Sequence, residues 1–107
     1  MKVYNVEISA SAKADIDELA DFLFENMSRE AAYRYLDTMG TEMKSLSVYA
    51  DCFAASHSKT IKTVHPFARR MLSHNRKWNY VFQIDGDTVV IDRVLKSKMI
   101  VRLFFIA

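Results

Sequence analysis

The chain is poor in the residues that segment or cross-link proteins. Two glycines and one proline in 107 residues leave no linker-like stretch, low-complexity tract or repeat, so residues 1–107 are expected to fold as a single domain. The single cysteine, Cys52, has no partner for an internal disulfide, which fits a reducing cytoplasm. A lone cysteine is also more often a small packing side chain than a nucleophile. No run is long enough to cross a bilayer, and the opening residues Met1 to Glu7 lack the apolar stretch of a signal peptide. Cys52, His57, His65 and His74 are too irregularly spaced for a zinc site. Neither metal nor cofactor is expected.

What is present is apolar patterning and an uneven charge. Half of the residues are hydrophobic, 50%, enough for one core. The net charge of +2 divides sharply: residues 1–51 carry five Lys/Arg against ten Asp/Glu, and residues 52–107 carry ten against three. A basic surface for a polyanion or an acidic partner segment is one reading of that split, and an accident of solvated faces is the other.

Residues 2–8 place Val3 and the β-branched Val6 and Ile8 in a short run ending at Ser9 that reads as a strand, and Ser9 or Ser11 can cap a helix over about 10–26. Ile16, Leu19, Ala20, Leu23 and Met27 form its apolar stripe, with Asp15, Asp17, Glu18 and Asp21 elsewhere on it. Ser28 caps a second helix carrying Ala32, Leu36, Met39, Met43 and Leu46, and so short a turn makes the pair an antiparallel hairpin. These Met and Leu stripes read as core rather than as a cofactor box. Periodicity fades from Ser47 to about Val64, and Ser56 to Thr60 reads as a loop. Three strands follow, Phe67 to His74, Trp78 to Ile84 and Thr88 to Leu95, the last two joined through Asp85-Gly86-Asp87, a hairpin signal. Strict alternation puts Tyr80, Phe82 and Ile84 on one face and Asn79, Val81 and Gln83 on the other. In the last strand it puts Val90 and Val94 on one side, and Val89, Ile91 and Leu95 on the other. Apolar residues on both parities argue for burial of both faces. The fold class is α+β: an N-terminal strand, then a helical hairpin on one face of a small, mainly antiparallel sheet.

That order, β-α-α-β-β-β, resembles the RelE/ParE toxin superfamily over nearly the whole chain. Ile8-Ser9-Ala10-Ser11-Ala12-Lys13-Ala14-Asp15-Ile16 is similar to the family's opening, and Arg69-Arg70-Met71-Leu72 with the Tyr80 to Leu95 hairpin, ending in Arg93-Val94-Leu95, is similar to its close. The resemblance implies the toxin of a type II toxin–antitoxin pair, cytoplasmic, acting in growth inhibition and plasmid stabilisation, and held silent by a cognate antitoxin whose tail is often partly acidic. It implies one of two targets: DNA gyrase for ParE-like members, or messenger RNA on the ribosome, cleaved by RelE-like members. RNA cleavage needs a base, an acid and cations at the phosphorane. The strand position that usually holds a catalytic Arg in RelE-like members falls at Asn79, the Arg after the last strand falls near Ser97, and no Tyr follows Tyr80. Arg70 and Lys96 are left as cationic candidates, with His74 as the residue able to exchange protons near neutral pH. The ParE-like, non-enzymatic reading is therefore favoured over a ribosome-dependent endoribonuclease, and over a non-toxic nucleic-acid-binding module. Arg69, Arg70, Arg76, Arg93, Lys96 and Lys98 are the candidate target- or antitoxin-binding residues. For Arg93, pairing with Asp92 or a helix carboxylate is the competing reading. The apolar segment 99–107 could close the sheet edge, pack under the helices or form a homodimer interface.

Overall fold

A computed structural model describes residues 2–56 and 58–97. His57, Lys98 and segment 99–107 lie outside the described residues. Strand β1 (Asn5–Ile8) passes through Ser9 into helix α1 (Ala10–Asn26). The Ser9 hydroxyl accepts from the Ala12 N–H at 3.1 Å, satisfying one of the donors that a helix start leaves unpaired, and donates to the Asp92 carbonyl at 2.9 Å. One side chain thus ends the strand, starts the helix and fastens both to the sheet. Ser28 repeats the cap for α2 (Arg29–Tyr49), accepting from Ala31 at 3.2 Å. α1 has the span expected from the sequence and takes Ser9 of its two cap candidates, while α2 takes the expected cap, Ser28, and runs on to Tyr49, past Ser47 where the periodicity fades.

The sheet has the order β1-β4-β3-β2, where β2 is Arg69–Leu72, β3 is Trp78–Asp85 and β4 is Thr88–Lys96. β3 pairs antiparallel with both β2 and β4, whereas β1 runs parallel to β4. Gly86 makes the β3–β4 turn possible, with a φ of 60° that a side chain would resist. The hairpin of α1 and α2 buries Leu19, Leu23, Met39, Met43 and Leu46 in one cluster with Tyr80, Phe82, Val89, Ile91 and Val94. Leu36 joins at its fringe, half-buried.

Four expectations need correction. The first two strands are shorter than the sequence suggested, β1 beginning at Asn5 and β2 spanning Arg69–Leu72 only. Met27 is exposed rather than part of the buried stripe, because α1 has already ended at Asn26. The stretch read as aperiodic contains a 3-10 turn, Ala50–Cys52, and helix α3 (Lys59–Val64), capped by Ser58. α3 covers the second face of the sheet, where Ile61 and Ala68 bury Val81 and Leu95. Finally, Phe82 opposes Ile91 while Val81 opposes Arg93, so Asp92 is an extra residue in β4. Such a bulge reverses the parity beyond it. Val94 therefore joins Val89 and Ile91 on the hairpin side, and Leu95 goes to the α3 side.

Candidate partner-binding surface

The best-built feature of the surface is the turn between β2 and β3, residues 73–77. Ser73, itself buried, donates its hydroxyl to Asn75 Oδ1 at 2.7 Å and accepts from the Trp78 N–H at 3.1 Å. Asn75 Oδ1 also accepts from the Lys77 N–H at 3.0 Å. Helix α2 grips the turn from beneath. The Glu42 carboxylate accepts from the His74 N–H at 2.6 Å and from the Tyr80 hydroxyl at 2.9 Å, and the Tyr35 hydroxyl accepts from Asn75 Nδ2 and from Trp78 Nε1, each at 2.9 Å. Burial foremost, then the hydrogen bond to Glu42, pushes the Tyr80 phenol well above its ordinary range.

This turn carries His74, Arg76 and Lys77, all exposed. Among the described residues, no hydrogen bond or ion pair engages their side chains. Arg76 sits at a φ of 64°, a left-handed conformation that costs a residue with a Cβ about 1 kcal/mol. Lys96 stands at the same end of the sheet, opposite Trp78 and with its ammonium 6.0 Å from that ring. Ser97 closes this end, donating its N–H to the Lys77 carbonyl at 3.0 Å.

The other candidate residues are distributed differently. Arg69 is half-buried and donates to the carbonyls of Phe53 at 2.8 Å and Ala50 at 3.5 Å, which ties down the chain leaving α2. Arg70 is exposed and pairs with Val81 on the α3 side, whereas Lys96 pairs with Trp78 on the hairpin side. Arg70 and Lys96 thus occupy opposite faces of the sheet and do not converge with His74 on one concave surface. Asn79 and Ser97, where the ribonuclease pattern calls for cations, are joined to each other at 2.8 Å, and Asn79 is buried. Among the described residues no cluster of potential metal ligands occurs, and no helix is long and apolar enough to cross a membrane.

Arg93 takes the helix-carboxylate option. Its guanidinium meets Asp15 of α1 through two bonds, 2.8 Å from Nε and 3.0 Å from Nη2, while Asp15 also accepts from the Val94 N–H at 2.9 Å. The hydrogen bond to Asp15 holds the Arg93 guanidinium more firmly protonated than usual. β1 pairs with β4 only as far as Ile91, and Asp15 supplies an acceptor that the missing strand does not. A groove of about 290 Å³ opens beside this contact, walled by Leu19, Phe22, Trp78 and Val94 and flanked by Glu18 and Lys96. We expect Asp15→Ala to lower stability by about 2 kcal/mol, because it orphans both donors, and Arg93→Ala by about 1 kcal/mol, since the half-exposed pair is partly screened. Denaturant unfolding checks this, and equal losses in the two variants would contradict the bridging role of Asp15.

Neither sequence pattern nor charge count singled out Glu42, Tyr35 or Asp15. A signal existed for the first two: Tyr35 and Glu42 are seven apart on the stripe that carries Met39, Met43 and Leu46, and a carboxylate there demands a partner.

The profile of the family described as "ParE toxin of type II toxin-antitoxin system, parDE" matches residues 6–101. Among solved structures, a chain of the "Chromosomal ParDE TA system from P. aeruginosa" is similar, with a TM-score of 0.73 and 19% identity, over 88% of this chain and 96% of that one. No curated protein matches the sequence.

Proposed function

Because the chain belongs to the ParE toxin family of type II toxin–antitoxin systems, we propose that it arrests growth in the cytoplasm by binding DNA gyrase, without catalysis, and is neutralised by a cognate antitoxin. The observation that carries the non-catalytic reading is the bond between Asn79 and Ser97, 2.8 Å long. Two neutral, mutually satisfied side chains stand where a ribonuclease of this fold needs positive charge for its transition state. Arg70 and Lys96, on opposite faces, supply no substitute, and His74 lies on the turn apart from Arg70. Contact is left to exposed cations, Arg70 on β2 and Arg76 and Lys96 at the end of the sheet; Lys98, outside the described residues, stays a candidate from the sequence alone. Arg69 and Arg93 act inside the fold first, holding the chain after α2 and the start of α1, and contribute to contact through that placement. The relative from P. aeruginosa comes from a paired ParDE system, which supports the expectation of an antitoxin here.

The test is induced expression, with gyrase supercoiling and messenger-RNA integrity followed in parallel and with purified protein added to each assay. Supercoiling should fall, transcripts should stay whole on the ribosome, and co-expressed antitoxin should restore growth. Arg70→Ala should weaken the effect while leaving the fold intact, since losing an exposed charge rarely costs more than about 0.5 kcal/mol. Cleavage at defined codon positions, lost in Arg70→Ala or His74→Ala, would overturn this reading in favour of an endoribonuclease.

A further inference from the structure

The short connection between α1 and α2 carries large apolar side chains that the core does not use. Phe24, Met27 and Tyr33 are exposed, while Leu19, Leu23, Ala32 and Met39 of the same two helices fill the buried cluster. The Phe24 and Tyr33 rings meet edge to face, their centroids 5.2 Å apart at 74°. Arg29 stands over the Tyr33 ring with its guanidinium carbon 5.8 Å from the centroid, and the three residues line an open cleft of about 380 Å³. Aromatic rings, methionine and arginine gathered in one exposed patch are the side chains that protein interfaces favour.

The charges around the rings decide what kind of segment fits. Phe24 has Asp21 one helical turn before it, and Tyr33 has Glu30 one turn before and Asp37 one turn after. All three carboxylates belong to exposed residues, and among the described residues none makes an ion pair or a side-chain hydrogen bond. α1 also ends with Glu25 in its last turn and no basic residue there, so the negative end of its dipole lacks the cation that would complement it. On the rings themselves stands one cation, Arg29. It belongs to the first turn of α2, the positive end, where a cation is disfavoured, and the face of Tyr33 is what receives it.

We propose that this helical tip is a docking face for a basic, partly apolar segment of a protein partner. A lysine or arginine of that segment takes the ring face that Arg29 now occupies, and its apolar neighbours cover Phe24 and Met27. None of the cations assigned to contact above takes part, so the proposal goes beyond that reading. A nucleic acid or an acidic peptide is disfavoured here, since either would bring negative charge against Asp21, Glu30 and Asp37.

The test uses the full-length protein with a fluorescently labelled peptide of alternating leucine and arginine, and with labelled oligoglutamate and single-stranded DNA as rival probes. Tyr33→Ala should bind the basic peptide about tenfold more weakly, the loss expected for a central aromatic contact. It should leave the binding of both rival probes unchanged. Tyr33→Phe keeps the ring and should bind as the parent does. Asp37→Asn should weaken binding of the basic peptide about threefold, whereas Arg29→Ala should tighten it about threefold, because that change vacates the ring face and removes a like charge. Both alter an exposed charge only, so they keep the test open whatever Tyr33→Ala does to the fold. Glu7→Gln, which removes an exposed carboxylate of β1, should bind as the parent does. Full affinity for the basic peptide in Tyr33→Ala, weaker binding of it in Arg29→Ala, or loss of oligoglutamate or DNA binding in Tyr33→Ala would each overturn the proposal.

Discussion

Truncating Leu46 to alanine is expected to lower the unfolding free energy by about 3–5 kcal/mol, the range for a fully enclosed leucine whose cavity cannot collapse. Leu46 is 0% exposed and lies in the cluster formed by Met39, Met43, Val89 and Ile91. Leu36, on the same stripe but only half-buried, should cost about 1–2 kcal/mol, because part of its surface already meets water. For a domain of ordinary stability, about 5–15 kcal/mol, the first change removes a large fraction of the total. Urea unfolding with an unchanged m value would measure both. A loss below about 0.5 kcal/mol for Leu46→Ala would contradict the burial of α2 against the sheet.

The second large effect concerns Glu42. In Glu42→Ala the buried Tyr80 hydroxyl and the His74 N–H both lose their acceptor, and the expected loss is about 2–4 kcal/mol. Glu42→Gln keeps one acceptor oxygen and should lose about half as much. The same contact has a pH signature. Burial and the Glu42 bond raise the Tyr80 phenol in the folded state above its ordinary 10.0, so the unfolded chain ionises first as the solution turns alkaline. The stabilisation is therefore complete below pH 10 and is lost progressively as pH rises toward the folded value. Tyr80→Phe should flatten the alkaline decline by about 1.4 kcal/mol per pH unit. An alkaline slope identical in wild type and Tyr80→Phe would refute the assignment.

Much of the fold was legible because its signals were local. Ser9 and Ser28 stand immediately before apolar stripes of helical period, so caps and periodicity agree on the boundaries. Asp85-Gly86-Asp87 marked the hairpin for a similar reason. α3 was hidden because six residues give little more than one turn of periodicity, with Ile61 and Val64 alone to carry it. The bulge at Asp92 was hidden because a single extra residue leaves no compositional trace, yet it exchanges the faces of Val94 and Leu95. In the candidate surface, the neutral character of Asn79 and Ser97 was readable as a departure from the ribonuclease pattern, but their mutual bond depends on strand register. For Arg93 a carboxylate partner stood beside direct contact as one of two readings, and which carboxylate stayed open, since Asp15 lies far away in sequence. The left-handed backbone at Arg76 had no signal at all: positive φ is uncommon for any residue but glycine, and asparagine, aspartate and histidine are the usual exceptions.

β1 finds its hydrogen-bonding partner in Thr88 to Ile91, so the first of the described strands pairs with the last of them in chain order. Contacts of that separation close late, because the loop entropy must be overcome before any bond rewards it. During synthesis, a nascent chain that has emerged only as far as β3 has two capped helices and an unpaired β1. It lacks Val89, Ile91 and Val94, which belong to the cluster under the hairpin, and its Asp15 has neither Arg93 nor the Val94 N–H to hold. Arg76 and Lys77 have already been made by then, yet the turn that aims them is steadied by α2, which rests on this same unfinished cluster. The order of the strands thus acts as a timing device: a chain interrupted before β4 carries Arg70 and Arg76 without Lys96 and without the scaffold that presents them.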